Sequence, residues 1–376
     1  MEKIGIFGGT FSPVHNEHFA IARQAIKELQ LDKLYIVPTF MPPHKSKAPI
    51  SGEHRLNMLK LAFSDMEKVE ISEYELKSLG KSYTYLTVSH FKELHKNAQI
   101  YFIVGGDMLT DFKTWKNPEI IMDKCDLAVF NRDDFYTDYE EENALFIERF
   151  NKGYIKLNYN GKGVSSTRIR VYSMLNLSLD GQVPKSVEEY IIKNDIYKGD
   201  FIADFIKTAL PEKRLIHTAE VAVSALSKVK ELGLSEDKVL TASLLHDCAK
   251  YLDKSAFKGF KLPSDVPKPV EHAFLGAFVA EKVLGITDQE IIDAIRYHTS
   301  GKANMTTLSK LVFVADMVER GRDYQGVEKL RELFNKDFEK CFIECLIEEV
   351  EHLKNKKSVI YIETLNAYDY YVKGAK

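Results

Sequence analysis

The sequence has 376 residues, a length that favours two domains, each able to bury its own core. Apolar residues make up 45% and charged residues 28%, a composition that indicates a water-soluble globular protein and excludes a disordered, fibrous or membrane-embedded one. The formal net charge of -3 argues against a mainly electrostatic nucleic-acid binder, although it leaves room for a local basic pocket that binds small phosphates.

The cysteines and the N-terminal residues indicate a cellular compartment. Cys125, Cys248, Cys341 and Cys345 form no CxxC pair, so neither a disulfide framework nor a thiolate zinc site is indicated. The first residues lack the basic-then-apolar pattern of a secretory signal, and no apolar stretch reaches the roughly 20 residues that span a bilayer. We therefore expect a cytoplasmic protein that binds neither membranes nor nucleic acid.

The first half of the chain alternates short apolar runs with helix-like segments. Helices are predicted over 18–29 and 55–63, and the predicted strands are KIGIFGG, KLYIVP, VEISEYEL, QIYFIVG, LAVFNR and YIKLNY. This βαβ rhythm predicts an α/β domain with a Rossmann-like, mostly parallel sheet covered on both faces. Ligands of such sheets bind at the carboxyl ends of the strands.

The rhythm changes after Tyr197, where strand-like alternation nearly vanishes. Long amphipathic or buried helices are predicted in HTAEVAVSALSKVKEL, VLTASLLHDCAKYL, HAFLGAFVAEKVL and LSKLVFVADMVERG. An all-α second domain is therefore expected. The segment YKGD around Gly199 is the best boundary, which predicts domains of residues 1–198 and 199–376.

A candidate phosphate site begins where the first predicted strand ends. Gly8 and Gly9 follow that strand, and His15 and His18 lie near the start of the next helix. Glycines let a backbone approach phosphate closely, and a helix start presents unpaired N–H groups to an anion. Histidines three residues apart share a helix face, so both rings can meet one anion. A tight turn with two solvent-facing histidines is the alternative for either element alone, but here the elements coincide.

The segment SSTRIR follows the strand YIKLNY and opens a predicted helix. Ser165, Ser166 and Thr167 offer hydroxyls and helix-start amides, while Arg168 or Arg170 offers a guanidinium fork to phosphate. A phosphate group is the expected ligand of this segment.

The stretch IGIFGGTFSPVHNEHF resembles the HxGH nucleotidyltransferase superfamily, whose two histidines stabilise charge on the nucleotide phosphates during attack at the α-phosphorus. Further motifs are similar to those of bacterial nicotinate mononucleotide adenylyltransferases over residues 1–197, namely PPHK, HRLNML, SYTYLT, IVGGDMLTDFKTWKNPEI and SSTRIR. This resemblance implies a step of NAD biosynthesis. The phosphate of nicotinate mononucleotide would displace pyrophosphate from ATP in line, with Mg²⁺ neutralising the triphosphate and no protein nucleophile.

The resemblance also implies residue roles, with His15 and His18 catalytic. The residues expected to bind ATP are Gly8, Gly9, Thr10, Phe11, His15, His18, Asp107, Ser165, Ser166, Thr167 and Arg170. The residues expected to bind nicotinate mononucleotide are Lys45, Tyr83, Thr84, Trp115 and Arg132. Trp115 would stack on the pyridine ring, and the backbone at Tyr83 and Thr84 would hold the carboxylate. Core filling remains the alternative for Trp115, and a solvated charge for Lys45 and Arg132.

Two residues depart from the pattern of the family. Ser12 stands where an aspartate is usual, and Glu17 stands where the HxGH motif has glycine. Glu17 brings a carboxylate to a helix start that should bind an anion. We expect it to disfavour ATP unless its side chain points outward.

The helical half carries residues that are typical metal ligands. They lie on separate predicted helices or at their ends: His217, the pair His246 and Asp247, His272, His298 and Asp316. Neutral imidazoles and carboxylates bind divalent transition metals, and a carboxylate can bridge two ions. The apolar run before LLHDCAK buries its helix, so that an unpaired charge at Asp247 would be costly without a metal.

The ligand order H, HD, H, H, D resembles the HD phosphohydrolase superfamily over about residues 200 to 370. The segments KRLIHTAEVA, HDCAK, AIRYHTSGKANMT and LVFVADMVERGR look like the bacterial HD family that splits diadenosine tetraphosphate into two ADP. This resemblance implies one or two divalent ions, with iron as the expected metal, and a catalytic role for Asp247. The residues themselves do not separate iron from manganese, cobalt or nickel. It implies phosphate contacts from Arg214 and Lys250, with Arg320 or Arg322 as a further candidate.

Two alternatives stay open at this point. The HD half could be a regulatory module that senses adenine dinucleotides without cleaving them. The first domain could adenylylate another phosphate substrate, such as pantetheine phosphate or riboflavin phosphate, although the SYT and DFKTW segments favour nicotinate mononucleotide. The expected small-molecule partners are ATP, nicotinate mononucleotide and a dinucleoside polyphosphate, and a homo-oligomer is compatible with the sequence.

Overall fold

The computed structural model describes residues 1–40, 50–78, 81–131, 139–161 and 163–374. Lys45 and Arg132 lie outside these ranges, as does the side chain of Asp107, so their predicted roles stay predictions. Contacts divide the chain into two compact units, each with its own core. The first comprises Met1–Arg170 and Leu179–Ile196, and the second comprises Val171–Ser178 and Tyr197–Lys376.

The first unit is built on a sheet of six described strands in the order β3-β2-β1-β4-β5-β6. The strands are β1 Lys3–Gly9, β2 Lys33–Pro38, β3 Val69–Ile71, β4 Gln99–Gly105, β5 Asp126–Asn131 and β6 Ile155–Asn160. Each neighbouring pair is parallel, which confirms the predicted α/β class and sheet type.

Helices of the first unit connect these strands, as the parallel pairing requires. They are α1 Asn16–Glu28, α2 Gly52–Ala62, α3 Tyr74–Lys77, α4 Thr84–Leu94, α5 Leu109–Phe112, α6 Pro118–Lys124, α7 Tyr139–Phe150, α8 Ser166–Met174 and α9 Lys185–Lys193, with the last residues of α8 in the second unit. The side chain of Ser51 starts α2 by accepting a hydrogen bond from the His54 amide at 3.2 Å.

One strand prediction was partly wrong. VEISEYEL was expected to be extended throughout, but the strand ends at Ile71 and α3 follows. β3 is an edge strand with β2 as its neighbour, so few ladder hydrogen bonds extend it. The Ser72 hydroxyl also accepts a bond from the Tyr74 amide at 3.3 Å, a local turn that competes with the extended form.

The sheet is buried on both faces. Alternate residues such as Ile4, Ile6 and Phe102 enter one apolar cluster that α4 and α6 also line, while Ile36 and Ile103 are buried on the opposite face. Between β1 and β4 the connections switch from one side of the sheet to the other. The crevice outside the carboxyl ends of these two strands is where ligands bind in sheets of this order.

The second unit is helical, as predicted. Its helices are α10 Phe201–Ala209, α11 Glu212–Ser227, α12 Val229–Leu232, α13 Glu236–Leu245, α14 Glu271–Lys282, α15 Gln289–Tyr297, α16 Thr307–Val318, α17 Val327–Lys336, α18 Phe338–Asn355 and α19 Ile362–Tyr368. The core is formed by buried residues such as Leu245, Val312 and Phe342. Of the helices in the described ranges, none is both long enough and apolar enough to cross a membrane.

Candidate functional sites

His15 and His18 come together at the start of α1. The His15 backbone amide donates a hydrogen bond to His18 Nδ1 at 3.2 Å, and the two rings stack with their centroids 3.7 Å apart. His15 is almost fully buried, and His18 is half-buried. Because Nδ1 of His18 accepts a bond, its neutral ring carries the proton on Nε2, which is the donor that an anion needs.

The start of α8 is bonded to the turn before α1. Ser166 Oγ donates to the Pro13 carbonyl at 2.9 Å, and Arg170 Nη1 donates to the Ser12 carbonyl at 3.0 Å. Ser165 lines the same cleft as the two histidines. The cleft has about 430 Å³ of empty space, counting its open side. Arg170 therefore braces the loop through backbone atoms, whatever the side chain at position 12.

Gly8 and Gly9 end β1, and the loop with Thr10 and Phe11 follows at the carboxyl end of that strand. A Cβ at Gly9 would stand 3.0 Å from the ring of Phe11, so close packing also favours glycine there. The Phe11 ring is buried against His18, with centroids 4.8 Å apart. Thr10 is held by its carbonyl, which accepts a bond from Arg55 Nη1 at 3.0 Å.

Arg55 was not among the predicted site residues. Its side chain is almost fully buried, and its Nη1 also donates to the Thr39 carbonyl at 2.6 Å. The guanidinium thus joins the backbone that follows β1 to the backbone that follows β2. The sequence signal that could have indicated Arg55 is a charged residue inside the helical pattern of HRLNML. A buried arginine must find hydrogen-bond acceptors, so such a residue joins other parts of the fold.

Glu17, the departure from the family pattern, does not point outward. Glu17 is 7% exposed and lines the cleft with His18, and its carboxylate accepts a hydrogen bond from the hydroxyl of Tyr159. Tyr159 lies at the end of β6 and was also missed, because a tyrosine in an alternating strand pattern predicts packing and no specific partner.

The predicted nicotinate pocket lies at the start of α4. Tyr83 precedes the helix and Thr84 is its first residue, so their backbone lies where helix amides have no intrahelical partners. Lys116 Nζ stands 4.5 Å from the centre of the Tyr83 ring, which brings the Trp115 segment beside Tyr83. Trp115 is half-buried and packs on Phe112 with centroids 5.1 Å apart. Partial core packing leaves part of the indole exposed.

All six predicted metal ligands converge in the second unit. Asp247 belongs to two groups whose ligand atoms lie within 4.8 Å of one another: His217, His246 and Asp247, and Asp247, His272 and His298. Asp316 joins through Oδ1, which is 3.0 Å from His217 Nε2. Asp247 Oδ1 lies 2.9 Å from His272 Nε2 and 3.5 Å from His298 Nε2. The shared Asp247 is the residue that could bridge two ions.

Two of the predicted ligand histidines, His246 and His298, lie just past helix ends, and at His246 the sequence had predicted a helix that continues through VLTASLLHDCAKYL. Nδ1 of His246, after α13, bonds the Ser243 carbonyl at 2.6 Å, and Nδ1 of His298, after α15, bonds the Ile295 carbonyl at 2.7 Å. Each ring thereby satisfies a carbonyl that the helix end leaves free. The proton on Nδ1 leaves Nε2 as the metal-binding atom.

These donors fit a divalent metal. Among the described residues, the fully buried Nε2 of His246 has no hydrogen-bond partner, a cost that a metal would remove. Burial lowers the pKa of His246 to about 3 and so keeps the imidazole in its neutral, ligating form. Burial opposes ionisation of Asp247, but the hydrogen bonds of His272 and His298 outweigh it and hold the pKa of the carboxyl well below its usual range.

Cationic side chains surround the same cluster. Arg214 Nη1 is 2.9 Å from Asp247 Oδ2, and Lys250 Nζ is 3.1 Å from His272 Nε2. Arg322 pairs with Asp316, whereas Arg320 is exposed. Arg214, Lys250 and Arg322 are therefore the candidates for binding phosphate beside a metal.

Glu319 is a further residue of this centre that the sequence-based reasoning missed. Its buried carboxylate lies 3.0 Å from His217 Nδ1 and therefore orients the ring toward Asp316. The sequence signal that could have indicated Glu319 is its position three residues after Asp316, in DMVER. A carboxylate at the far nitrogen of a ligating histidine fixes the tautomer and raises the basicity of the ligand.

Replacing Glu319 with alanine is expected to weaken metal binding by about 10- to 100-fold, because His217 loses the partner of Nδ1. Glu319→Gln should lose less metal affinity, since the glutamine amide oxygen can still accept the hydrogen bond from His217 Nδ1. Competitive titration of the full chain with a metal-binding dye measures both. Equal affinity of the wild type and both variants would contradict the role of Glu319.

The fold and sites define a Rossmann-like nucleotidyltransferase joined to a helical HD-type metal domain. Residues 6–171 match the cytidylyltransferase-like family model, and residues 214–321 match the HD domain model. The probable nicotinate-nucleotide adenylyltransferase of Clostridium tetani is 41% identical over 202 residues, which cover 53% of this chain and 100% of that protein. The chain therefore belongs to the nicotinate-nucleotide adenylyltransferase family.

Other similar proteins match more of this chain or carry an HD-type name. A Mycoplasma genitalium protein named probable nicotinate-nucleotide adenylyltransferase/Ap4A hydrolase is 29% identical over 328 residues, covering 85% of this chain and 88% of that protein. A crystal structure of a predicted HD superfamily hydrolase involved in NAD metabolism, from Clostridium acetobutylicum, covers 46% of this chain and 96% of that chain at 28% identity, with a TM-score of 0.42.

Proposed function

We propose that the chain is a bifunctional enzyme with domains at residues 1–198 and 199–376. The first domain transfers AMP from ATP to nicotinate mononucleotide, giving nicotinate adenine dinucleotide and pyrophosphate. The second hydrolyses diadenosine tetraphosphate to two ADP at a divalent metal centre. The cytoplasm is the proposed compartment, in keeping with four buried cysteines that are free thiols.

The observation that carries the first activity is the stacked His15–His18 pair facing the cleft that Ser165 lines. His18 Nδ1 accepts the bond from the His15 backbone amide, so the donor proposed for a phosphate oxygen, as negative charge develops there, is Nε2–H. The amides at the start of α8 add further donors. Preorganised donors of this kind, together with in-line positioning, are sufficient for phosphoryl transfer chemistry.

The pyridine nucleotide is proposed to bind between the start of α4 and Trp115. The amides at Tyr83 and Thr84 would meet the nicotinate carboxylate, since a helix start favours an anion. The exposed part of Trp115 would stack on the pyridine ring. Lys45, Asp107 and Arg132 remain proposed contacts of the nucleotides.

The second activity is supported by the shared carboxylate of Asp247 and by the cations beside it. A divalent metal bound there would acidify a water ligand and neutralise charge on a phosphoanhydride. His217, His246, His272, His298 and Asp316 would complete its ligand set, and Arg214 and Lys250 would turn toward the phosphates. Iron is the proposed metal, and Mg²⁺ the proposed partner of ATP in the first domain.

A substrate panel on the full chain tests the first activity. ATP and Mg²⁺ are supplied with nicotinate mononucleotide, nicotinamide mononucleotide, pantetheine phosphate or riboflavin phosphate, and products are separated by chromatography. Nicotinate adenine dinucleotide should form fastest. Faster turnover of either non-pyridine phosphate would reject the proposed substrate.

Hydrolysis is tested on the same protein after removal and return of metal. With diadenosine tetraphosphate, ADP should be the sole nucleotide product, and it should appear when Fe²⁺, Mn²⁺, Co²⁺ or Ni²⁺ is restored. Equal release of AMP and ATP would reject symmetrical cleavage. Tight binding of the dinucleotide without turnover would make the second domain a sensor.

A further inference from the structure

Glu75 is a buried carboxylate beside the start of α4, where the proposed function places the nicotinate carboxylate. It lies on α3 and is 7% exposed. Together with Tyr83 and Thr87 it lines a pocket of about 230 Å³, counting the open side of the pocket. A carboxylate is seldom buried unless the fold supplies hydrogen-bond donors for it, so Glu75 has to be bonded to the elements around it.

The bond that holds Glu75 comes from the first turn of α4. Thr87 Oγ1 donates to Glu75 Oε1 at 2.5 Å, and both side chains are buried. Burial raises the pKa of Glu75, and the hydroxyls of Thr87 and Ser82 oppose that rise by stabilising the charged form. A hydrogen bond to a buried carboxylate is costly to break, so this bond ties α3 to α4.

Ser82 fastens the other side of the same helix start. It stands directly before Tyr83, and its Oγ accepts a hydrogen bond from the Phe40 amide at 3.0 Å. Phe40 lies just after β2. The backbone at Tyr83 and Thr84 therefore lies between two anchored side chains, with Ser82 joined to the segment after β2 and Thr87 joined to α3.

The direction of this helix start matters because its backbone amides are the proposed donors to an anion. The Leu86 and Thr87 amides donate to the Tyr83 carbonyl at 3.0 and 3.4 Å. The Thr84 amide precedes them and is one of the donors that a helix start leaves without a partner inside the helix. A displacement of about 1 Å is enough to weaken such a contact. Because Thr87 lies in the same turn, its bond to Glu75 sets the direction of these amides.

We propose that Glu75 is a positioning residue for nicotinate mononucleotide. Its bond to Thr87 fixes the first turn of α4, so that the backbone at Tyr83 and Thr84 stays aimed at the nicotinate carboxylate. Glu75 acts through the helix and not by contact with the substrate. The inference rests on the proposed function of the first domain, and it assigns to Glu75 part of the preference for nicotinate over nicotinamide.

The test is a double-mutant cycle with Glu75→Ala and Thr87→Val in the full chain. Each change breaks the bond, so the KM for nicotinate mononucleotide should rise about tenfold while the KM for ATP changes less than about twofold. The double variant should show no further rise, because the bond is already lost in each single variant. Glu75→Gln keeps an acceptor and Thr87→Ser keeps a donor, so each should retain a KM near the wild-type value.

Tyr35→Phe is the matched control, since it removes a hydroxyl at the opposite end of α4. That hydroxyl is 3.1 Å from Nε2 of His95, the residue at which the helix ends. The KM of this variant for nicotinate mononucleotide should stay at the wild-type value. The preference for nicotinate over nicotinamide mononucleotide, measured as a ratio of kcat/KM values, should fall in Glu75→Ala and Thr87→Val but not in the control, since only the acid presents an anion to the helix start.

Equal rises in the two KM values, or additive effects in the double variant, would show that Glu75 has only a structural role. An unchanged KM for nicotinate mononucleotide in folded Glu75→Ala and Thr87→Val would also overturn the proposal. Thermal unfolding verifies that each variant is folded. Combining Glu75→Gln with Thr87→Val breaks the same bond without leaving a buried charge, and it decides the question if a single variant does not fold.

Calorimetric titration with nicotinate mononucleotide repeats the cycle as a binding measurement. A wild type that binds this nucleotide but forms no nicotinate adenine dinucleotide with ATP would reject the proposed function, whereas the binding cycle would still decide the role of Glu75.

Discussion

Replacing Asp247 with asparagine is expected to remove metal from the second unit and to abolish hydrolysis of diadenosine tetraphosphate. Asp247 belongs to both candidate ligand groups, so a single change affects both. Metal affinity should fall by more than about 100-fold, which exceeds the loss typical of a residue that only hydrogen-bonds to a metal ligand. Metal analysis of the purified full chain and chromatography of ADP measure the two effects.

Glu220→Gln is the matched control for this change. Glu220 is a buried carboxylate on α11, the helix of His217, but it bonds Tyr172 and lies outside the ligand groups. The Glu220→Gln variant should retain both its metal and its hydrolytic activity. Formation of nicotinate adenine dinucleotide by the Asp247→Asn variant would show that the first unit of that variant is folded. Full metal content in Asp247→Asn would remove Asp247 from the ligand set.

Replacing His18 with alanine is expected to lower kcat for adenylyl transfer by about 100- to 1000-fold, the cost of one preorganised donor to a developing charge. The ring of His18 has its Nδ1 occupied by the His15 amide, so that Nε2–H is the donor lost. Initial rates with saturating ATP and nicotinate mononucleotide measure the effect.

His95→Ala serves as the control for His18→Ala. His95 lies at the end of α4 in the same unit, and its Nε2 is 3.1 Å from the hydroxyl of Tyr35, away from the cleft. The kcat of the His95→Ala variant for adenylyl transfer should stay near the wild-type value. If His18→Ala kept full activity, the catalytic role of His18 would be wrong.

Most helices and strands of this chain could be predicted from local hydrophobic periodicity. Runs such as KIGIFGG and QIYFIVG are buried on both faces in a parallel sheet, and that burial imposes an apolar run on the sequence. VEISEYEL could not be assigned in the same way. Its second half becomes α3 because an edge strand has few partners, and edge position is a property of the assembled sheet.

The candidate sites were predictable where a motif is local. His15 and His18 share one helix turn, and His246 and Asp247 are adjacent, so their joint action follows from spacing. Glu319 and Tyr159 were missed because each acts on a histidine or a carboxylate more than 100 residues away in the chain. Such pairs arise only when separate elements pack together.

The sequence alone established which chemical groups the chain carries: glycines and histidines beside a strand, an ordered set of metal-binding side chains, and the residue types of two domains. Local spacing and side-chain chemistry are sufficient for that. Tertiary packing decided what those groups face. It turned Glu17 into the cleft and set Tyr159 against it, ended α13 and α15 just before His246 and His298, and aimed their Nε2 atoms at Asp247. These directions depend on contacts between distant segments, which no local pattern encodes.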